Sequence, residues 1–289
     1  MGKSDKQLRF LDIDQPGEFA GDIAEVYERE RKKEKEKELE AAHQQLMKYA
    51  GDLAKTISDL KTAHIELEQA YLDTIHRLVI AAEYKDEDTG DHIARISRYS
   101  ALIAEKLGMP PKDVKNILYA APMHDVGKIG IPDGILMKSG KSTDEEFALI
   151  KTHATIGASI LGNAKAGLLQ LAHQIALSHH EKWNGEGYPQ GLAGEDIPLG
   201  ARIVGLADVF DALTSRRPYK DPYPVEVACY LIRKERGQHF DPNLVDVLME
   251  NLDEILKIKV EVNSGKREPH SDILWSKRDR LEGVVVSWA

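Results

Sequence analysis

Five leucines recur at intervals of seven residues in the N-terminal part of the chain: Leu39, Leu46, Leu53, Leu60 and Leu67. The second seam of the same heptads holds His43, Ala50, Ile57, His64 and Tyr71. A heptad pattern that continues over more than four repeats predicts a coiled-coil helix. Because one such helix has no core of its own, we predict that its apolar stripe pairs with a second copy of the chain in a homodimer.

Changes in composition divide the chain into four segments. Residues 1–20 contain Pro16 and Gly17 and show no period, which indicates an N-terminal tail. Residues 21–74 are rich in Glu, Lys, Gln, Ala and Leu and lack proline, which predicts a helical coiled-coil stalk. We assign residues 75–260 to one helical domain and residues 261–289 to a C-terminal tail. The stalk is either a passive spacer or a transmitter of signals, and leucine spacing does not separate the two roles.

The segment 75–260 has the pattern of an all-α domain. Its periodicity predicts the helices Asp91–Leu107, Pro111–Met123, Thr143–Leu161, Gly167–His180, Ile197–Thr214, Pro224–Glu235 and Asn243–Ile258. Pro111 can occupy the first turn of its helix, and Thr143 with Glu146 predicts a capping box. A strand-like alternation occurs only in the tail, at Gly283–Trp288.

Composition limits the classes of function. The 289 residues carry a formal net charge of -9, which argues against a surface that binds DNA or RNA polymers. The single cysteine, Cys229, excludes an intramolecular disulfide framework and a cysteine-based zinc ribbon. No apolar run of about 18 residues and no signal peptide is seen, so we expect a cytoplasmic protein that does not cross a membrane.

Histidine is unusually frequent, since the chain has 11 and six lie between residues 92 and 180. The candidate metal ligands are His92, His124, Asp125, His153, His179, His180 and Asp208. When each adjacent pair is counted as one position, the intervals are 26 to 32 residues, about the length of a helix with its connection, so each helix can bring ligands to one place. Nitrogen and oxygen ligands suit iron, manganese, zinc or nickel, and seven are too many for one ion. We predict two ions with a bridging carboxylate; the alternative for each single histidine is a buried, hydrogen-bonded imidazole.

Four of these ligands form two adjacent pairs. Neighbouring side chains on a helix point about 100° apart. His124 and Asp125 can therefore face different ions, or Asp125 can bridge both. His179 and His180 can reach one ion only near a helix end, and such an end is predicted by the glycines that begin at Gly185.

The same residues carry a family resemblance. The segment His124–Lys128 (HDVGK) resembles the signature of the HD phosphohydrolase superfamily, and His179–Pro189 (HHEKWNGEGYP) resembles the HHExxDGxGYP signature of the HD-GYP family. Asn184 stands where that signature has Asp, and we expect it to stabilise the loop rather than bind metal. Further matches, which extend the resemblance over about Leu78–Leu248, are Thr89–His92, Ile131–Asp133, His153 with Gly157, Ala207–Leu213, Arg217–Tyr219 and Gly237–Pro242.

The resemblance implies a helical-bundle HD-type phosphohydrolase domain preceded by the long coiled-coil helix. It implies a bacterial signalling enzyme that hydrolyses cyclic di-GMP to pGpG, to GMP or to both, through attack by a hydroxide that bridges the ions. The seven candidate ligands would hold two divalent ions, with iron or manganese favoured and Asp125 as the bridging ligand. Asp88 is the candidate ligand of a third ion, although its side chain is shorter than the Glu of the trinuclear members.

The resemblance also assigns residues around the phosphate. Asp125 and Lys128 are the catalytic candidates, because Lys128 lies about one turn beyond Asp125 and can reach a phosphate oxygen. The predicted substrate contacts are Lys128, Tyr188, Arg217 and Lys220. Glu181 and Asp211 are each predicted to orient a metal-binding histidine. His173 receives no role.

Two other functions stay open. One is a cyclic-dinucleotide-binding module with little turnover, and the other is an HD phosphodiesterase for cyclic GMP-AMP. The complete ligand set favours an enzyme, whereas no residue separates the two cyclic dinucleotides. Arg217 and Lys220 can instead complement the dipole at a helix C-terminus. A signalling-protein partner is also kept open, since residues 1–74 are too few for an ordinary sensor domain.

Overall fold

The computed structural model describes residues 16–83, 90–138, 140–216 and 221–264. Some predictions fall outside these ranges: those for Asp88, Arg217, Lys220 and the segment Gly283–Trp288. Among the described helices, none combines the length and the apolar character needed to span a membrane.

The described residues fold into helices joined by short loops. The α-helices are α1 (Pro16–Glu83), α2 (Gly90–Lys106), α3 (Pro111–Ala120), α4 (Asp133–Leu136), α5 (Asp144–Lys151), α6 (His153–Leu161), α7 (Gly167–Ser178), α8 (Leu199–Thr214), α9 (Val225–Lys234), α10 (Pro242–Glu250) and α11 (Leu252–Asn263). Short 3₁₀ helices occupy Ala121–Met123, Val126–Gly130 and Gly194–Asp196. Within the described ranges there is no β-strand, only a single bridge between Arg236 and Phe240. The all-α prediction is therefore confirmed.

Helix α1 is continuous from Pro16 to Glu83, so it begins inside the segment predicted as a tail. Proline is absent from residues 17–83, and nothing removes a backbone hydrogen bond within the helix. The chain divides into two compact units between Ala70 and Tyr71. In the first unit the heptad leucines are strongly exposed, from 61% at Leu53 to 72% at Leu39.

The predicted helix Thr143–Leu161 is wrong in one respect, because it consists of two helices that meet at Thr152. The Thr152 hydroxyl donates to the carbonyl of Leu149 at 2.6 Å, and Nδ1 of His153 bonds to the carbonyl of Ile150 at 2.7 Å. Side chains thus use the last carbonyls of α5, which ends that helix. The break places His153 at the first position of α6.

Two further helix ends, the break at Asn251 and the start of α5, compare with the prediction as follows: the first differs from it and the second agrees with it. The predicted helix Asn243–Ile258 is also two helices, and at the break Asn251 donates its amide to the carbonyl of Val247 at 2.8 Å. The capping box at the start of α5 is confirmed, because the side chains of Thr143 and Glu146 each accept a hydrogen bond from the other's backbone N–H.

The helix predicted for Pro111–Met123 changes its geometry before its end. The α-helix stops at Ala120 and the chain continues as the 3₁₀ helix Ala121–Met123. Pro122 explains the change, since proline has no backbone N–H and its ring is incompatible with a helix interior. The following turn holds His124.

Two hydrophobic clusters hold the second unit together. The first packs α2 and α3 against α8–α11, and its fully buried side chains include Tyr99 and Phe210. The second joins the end of α1 to α2, α3, α7 and α8 through residues such as Val79 and Ile96. Because α2, α7 and α8 take part in these clusters, the residues at their ends have well-defined positions.

Two glycines allow backbone segments to touch near the candidate ligands. A Cβ on Gly127 would lie 1.9 Å from the carbonyl oxygen of His153, and a Cβ on Gly205 would lie 2.5 Å from the carbonyl oxygen of His179. Real Cβ atoms do not approach backbone this closely, so only glycine fits at either position. These contacts set the distance between the loop after His124 and α6, and between α8 and the end of α7.

We expect Gly127→Ala to lower the free energy of unfolding by about 3 kcal/mol, because the new methyl group overlaps the backbone of α6. Urea unfolding followed by circular dichroism measures the change. Gly134→Ala in α4 is the matched control, since no heavy atom lies within 4 Å of its added Cβ. The control should change stability by less than about 1 kcal/mol. Equal stability of the two variants would contradict the close contact at Gly127.

Candidate metal centre

The seven side chains predicted as metal ligands lie in two adjoining groups. The first group is His92, His124 and Asp208, and the second is Asp125, His153, His179 and His180. Within each group, one ligand atom of every residue lies within 4.8 Å of those of the other members. The adjacent residues His124 and Asp125 fall in different groups, so the two groups meet at this pair.

The ligands come from helix ends, turns and one helix interior. His92 lies in the first turn of α2, His124 and Asp125 lie in the turn before Val126–Gly130, His153 opens α6, and Asp208 lies within α8. Helix α7 ends at Ser178, and His179 is its C-cap. Because the chain leaves the helix there, His179 and His180 reach the same group, as their spacing predicted.

The carboxylate of Asp125 faces both groups. Its Oδ1 lies 3.2 Å from Nε2 of His153 and 3.4 Å from Nε2 of His179, while its Oδ2 lies 3.1 Å from Nε2 of His124. Burial alone would raise the pKa of Asp125, but Lys128 and the nearby imidazoles outweigh burial and hold that pKa well below its usual range. Asp125 is therefore an ionised carboxylate whose two oxygens are directed to different ligand groups.

Hydrogen bonds at Nδ1 determine which ring nitrogen of each histidine is left for a ligand. Nδ1 of His124 lies 2.9 Å from the carbonyl of Ala121, Nδ1 of His153 bonds to that of Ile150, and Nδ1 of His179 lies 3.0 Å from that of Ile175. A carbonyl only accepts, so Nδ1 carries the proton in each ring. In the neutral ring Nε2 then holds the lone pair that can bind a metal ion.

The donor set fits a divalent cation. Imidazole lone pairs and carboxylate oxygens converge in both groups, and such an arrangement needs positive charge. Burial lowers the pKa of His179 and of His180, so protonation of these rings is a poor source of that charge. Nitrogen and oxygen ligands of this kind bind divalent transition metals. By contrast, His173 bonds through Nδ1 to the carbonyl of Ala158 at 2.7 Å and lies outside both groups.

Asp211 orients His92, as predicted. Its carboxylate accepts hydrogen bonds from Nδ1 of His92 at 2.8 Å, from Nε and Nη2 of Arg95 at 2.5 and 2.9 Å, and from the Ser215 hydroxyl at 3.0 Å. Burial alone would raise the pKa of Asp211, but the hydrogen bonds from His92 and Arg95 lower it to about 2. Because Nδ1 of His92 is held by this carboxylate, Nε2 is the ring nitrogen that faces the first group, 3.8 Å from Oδ1 of Asp208.

Sequence reasoning missed Arg95 and Ser215. Arg95 follows His92 by three residues on α2, and this spacing on one helix face was a usable signal. Arg95 also donates through Nη1 to the side chain of Asn263, at the end of α11, at 3.0 Å. That contact joins residues separated by 168 positions, so no local pattern could indicate it.

Two of the predicted substrate contacts, Lys128 and Tyr188, border the ligand groups. Nζ of Lys128 lies 2.7 Å from Oδ2 of Asp125. Lys128 follows Asp125 by one turn, and that turn is part of a 3₁₀ helix rather than an α-helix. The ring of Tyr188 stacks on His180, with centroids 4.7 Å apart and planes at 27°. Burial, together with the charges of Asp125 and Asp208, raises the pKa of Tyr188, so its hydroxyl remains a donor.

The loop that carries Tyr188 is held by its own side chains. Glu181 has a different role from the one predicted: it accepts hydrogen bonds from the backbone N–H groups of Gln190 at 2.7 Å and Leu192 at 3.1 Å. Asn184 stabilises the loop, as expected, by bonding to the backbone N–H and the carboxylate of Glu186. These hydrogen bonds hold the loop in which Tyr188 stacks on His180.

Residues 77–244, more than half of the chain, match the family described as HD domain. The chain belongs to the HD domain family. A crystal structure of a cyclic GMP-AMP specific phosphodiesterase from Vibrio cholerae has a similar fold, with a TM-score of 0.50 and 22% identity. The match covers 66% of this chain and 53% of that chain. The family and the helical fold predicted from the motifs are thus confirmed.

Curated relatives share the same region at higher identity. The cyclic di-GMP phosphodiesterase response regulator RpfG of Xanthomonas campestris is 42% identical over 71% of this chain and 54% of its own length. The 3′3′-cGAMP-specific phosphodiesterase 2 of Vibrio cholerae is 40% identical over 68% of this chain and 38% of its own. The chain therefore spans about half or less of the length of these relatives.

We expect Asp211→Asn to weaken divalent-metal binding by about 10- to 100-fold, because the ring of His92 loses its charged acceptor. It should also lower stability by about 3 kcal/mol, since Arg95 would keep a buried charge without its partner. Isothermal titration with manganese measures the affinity, and urea unfolding measures stability. Ser215→Ala, which removes one neutral contact to the same carboxylate, should change the affinity less than about twofold. Equal affinities for all three proteins would contradict the orienting role of Asp211.

Proposed function

We propose that this chain is a metal-dependent phosphodiesterase that hydrolyses cyclic di-GMP to pGpG, GMP or both in bacterial second-messenger signalling. Membership of the HD domain family supports hydrolysis at a metal site. The relative RpfG carries the name of a cyclic di-GMP phosphodiesterase, and its identity of 42% supports the same chemistry here. The HD-GYP signature at His179–Pro189 supports a cyclic dinucleotide as substrate.

One observation carries the proposal: a single ionised carboxylate, Asp125, faces two separate groups of histidine and aspartate ligands. Phosphodiesters are negatively charged and resist attack by water. A site that holds two cations side by side counters both difficulties. We propose that the first and second groups each hold one divalent ion, iron or manganese, with Asp125 between them.

When bound, the ions would neutralise phosphoryl oxygens and lower the pKa of a water molecule. The chain's own residues then bind and orient the substrate. Lys128 provides an ammonium group beside Asp125, where it can donate to a phosphate oxygen and offset developing charge. Tyr188 keeps its proton and provides a hydroxyl donor and a ring face at the edge of the site.

Cyclic GMP-AMP is the second candidate substrate. The relative named as a 3′3′-cGAMP-specific phosphodiesterase is 40% identical to this chain, close to the 42% of RpfG. Such similar identities do not separate the two substrates, so the assay must include both. The same assay also identifies whether the product of cyclic di-GMP hydrolysis is pGpG or GMP.

We also propose a homodimer through the heptad stripe of residues 39–71. The exposure of Leu53 at 61% and of Leu60 at 69% supports it, because large apolar side chains repeated along one helix face favour a partner helix. A cytoplasmic location and a signalling-protein partner stay predictions.

Anaerobic purification, metal analysis and product chromatography test the enzymatic proposal. The wild-type chain should retain about two divalent ions and convert cyclic di-GMP. Asp125→Ala should lose most of its metal and at least about a thousandfold in turnover, since it removes the carboxylate shared by both groups. The exposed residue Asp59 offers a matched control, and Asp59→Ala should behave as wild type. Unchanged hydrolysis by Asp125→Ala would refute the two-ion site, and metal and ligand binding without product would favour a binding module.

For the stalk, we expect the double variant Leu53→Lys/Leu60→Lys to be monomeric, because two charges in the seam cannot be buried against a partner. Analytical ultracentrifugation measures the mass of the particle. The control Ser58→Lys/Thr62→Lys places the same charges outside the seam and should stay dimeric. If the variant Leu53→Lys/Leu60→Lys kept the mass of a dimer, that result would contradict the coiled-coil proposal.

A further inference from the structure

Lys151 places a positive charge beside the candidate metal centre. It is the last residue of α5, two positions before the ligand His153. Its Nζ lies 4.7 Å from the centroid of the Phe147 ring and 5.2 Å from that of the Tyr188 ring. Cations are attracted to the faces of aromatic rings, so both contacts hold the ammonium group in place.

The Tyr188 ring connects this cation to the second ligand group. Tyr188 stacks on His180 at 4.7 Å, and the ring of His180 lies 5.0 Å from that of His153. Lys151 is therefore separated from a metal-binding histidine by one aromatic ring. It lies at the edge of the site, half-buried, rather than among the ligands.

No carboxylate of the described part of the chain neutralises the charge of Lys151. Among the residues that the structure describes, no Asp or Glu oxygen lies within ion-pair distance of its Nζ, whereas Lys128 pairs with Asp125 and Lys138 pairs with Glu146. An aromatic face attracts a cation without cancelling its charge. Lys151 thus retains the ability to bind an anion that arrives at the edge of the site.

A cyclic dinucleotide brings such an anion. It contains two phosphodiesters, and only one can be at the ligand groups during hydrolysis. The other remains outside them with its negative charge. We propose, resting on the function proposed above, that Lys151 binds the phosphodiester that is not being cleaved and so sets the affinity for dinucleotide substrates. It is a substrate-positioning residue, distinct from Lys128 at the reacting phosphate.

Steady-state kinetics with two substrates tests this role. For cyclic di-GMP, Lys151→Met should raise KM about tenfold, which corresponds to about 1.4 kcal/mol, with kcat within about twofold. For bis(p-nitrophenyl) phosphate, which has a single phosphodiester, both constants should stay within about twofold of wild type. The inhibition constant of GpG, which keeps both guanines but has one phosphodiester, should also be unchanged.

Two control variants sharpen the result. Lys151→Arg keeps the charge and should stay within about threefold of the wild-type KM. Lys165→Met removes an exposed lysine from the loop between α6 and α7, at the opposite end of these helices from His153 and His179, and should behave as wild type.

The remaining outcomes overturn the proposal in distinguishable ways. Hydrolysis of cyclic di-GMP by Lys151→Met with an unchanged KM overturns this inference alone. A parallel loss on both substrates assigns Lys151 to support of the metal centre, and a weaker GpG inhibition assigns it to a guanine. A loss in Lys151→Arg as large as in Lys151→Met means that packing rather than charge matters. A wild-type chain that cleaves only bis(p-nitrophenyl) phosphate overturns the proposed function and this inference with it.

Discussion

The buried carboxylate of Asp125 is the feature on which the arrangement of the site depends. It is only 7% exposed, yet Nε2 atoms of three histidines lie 3.1 to 3.4 Å from its oxygens. Burying an anion among lone pairs is unfavourable unless positive charge is close. Lys128 supplies one positive charge, with its Nζ 2.7 Å from Oδ2 of Asp125. The two ligand groups could each hold a cation that supplies more. The imidazole rings keep their Nε2 atoms directed at this carboxylate because a hydrogen bond at Nδ1 fixes each ring.

Backbone carbonyls near helix ends accept the hydrogen bonds that fix these imidazole rings. A carbonyl oxygen has two lone pairs, so a carbonyl near a helix end can accept a side-chain donor in addition to a backbone N–H. The rings of His124, His153 and His179 donate to carbonyls three or four residues earlier in the chain, and each of these carbonyls also accepts a backbone N–H. Each of these hydrogen bonds determines which nitrogen of the ring faces the candidate metal site.

The convergence of the seven candidate ligands was predictable because their side-chain chemistry is rare and their spacing follows the helices. Periodicity and the glycines after it predicted a helix Gly167–His180, and α7 ends two residues earlier, at Ser178, with His179 as its C-cap. The breaks at Thr152 and Asn251 were not predictable from periodicity, since they depend on side-chain hydrogen bonds to the backbone. Contacts that link distant segments, such as that of Arg95 with Asp211, arise only when α2 and α8 pack together.

The net charge of -9 conceals how charge is distributed at the site. Arg95 and Lys128 are opposed by the ionised carboxylates of Asp211 and Asp125, so neither pair adds a net charge to the region. Lys151 instead contacts ring faces, which hold a cation without neutralising it. The positive charge at this edge of an acidic protein therefore depends on the local pairing of each cation and not on the total charge.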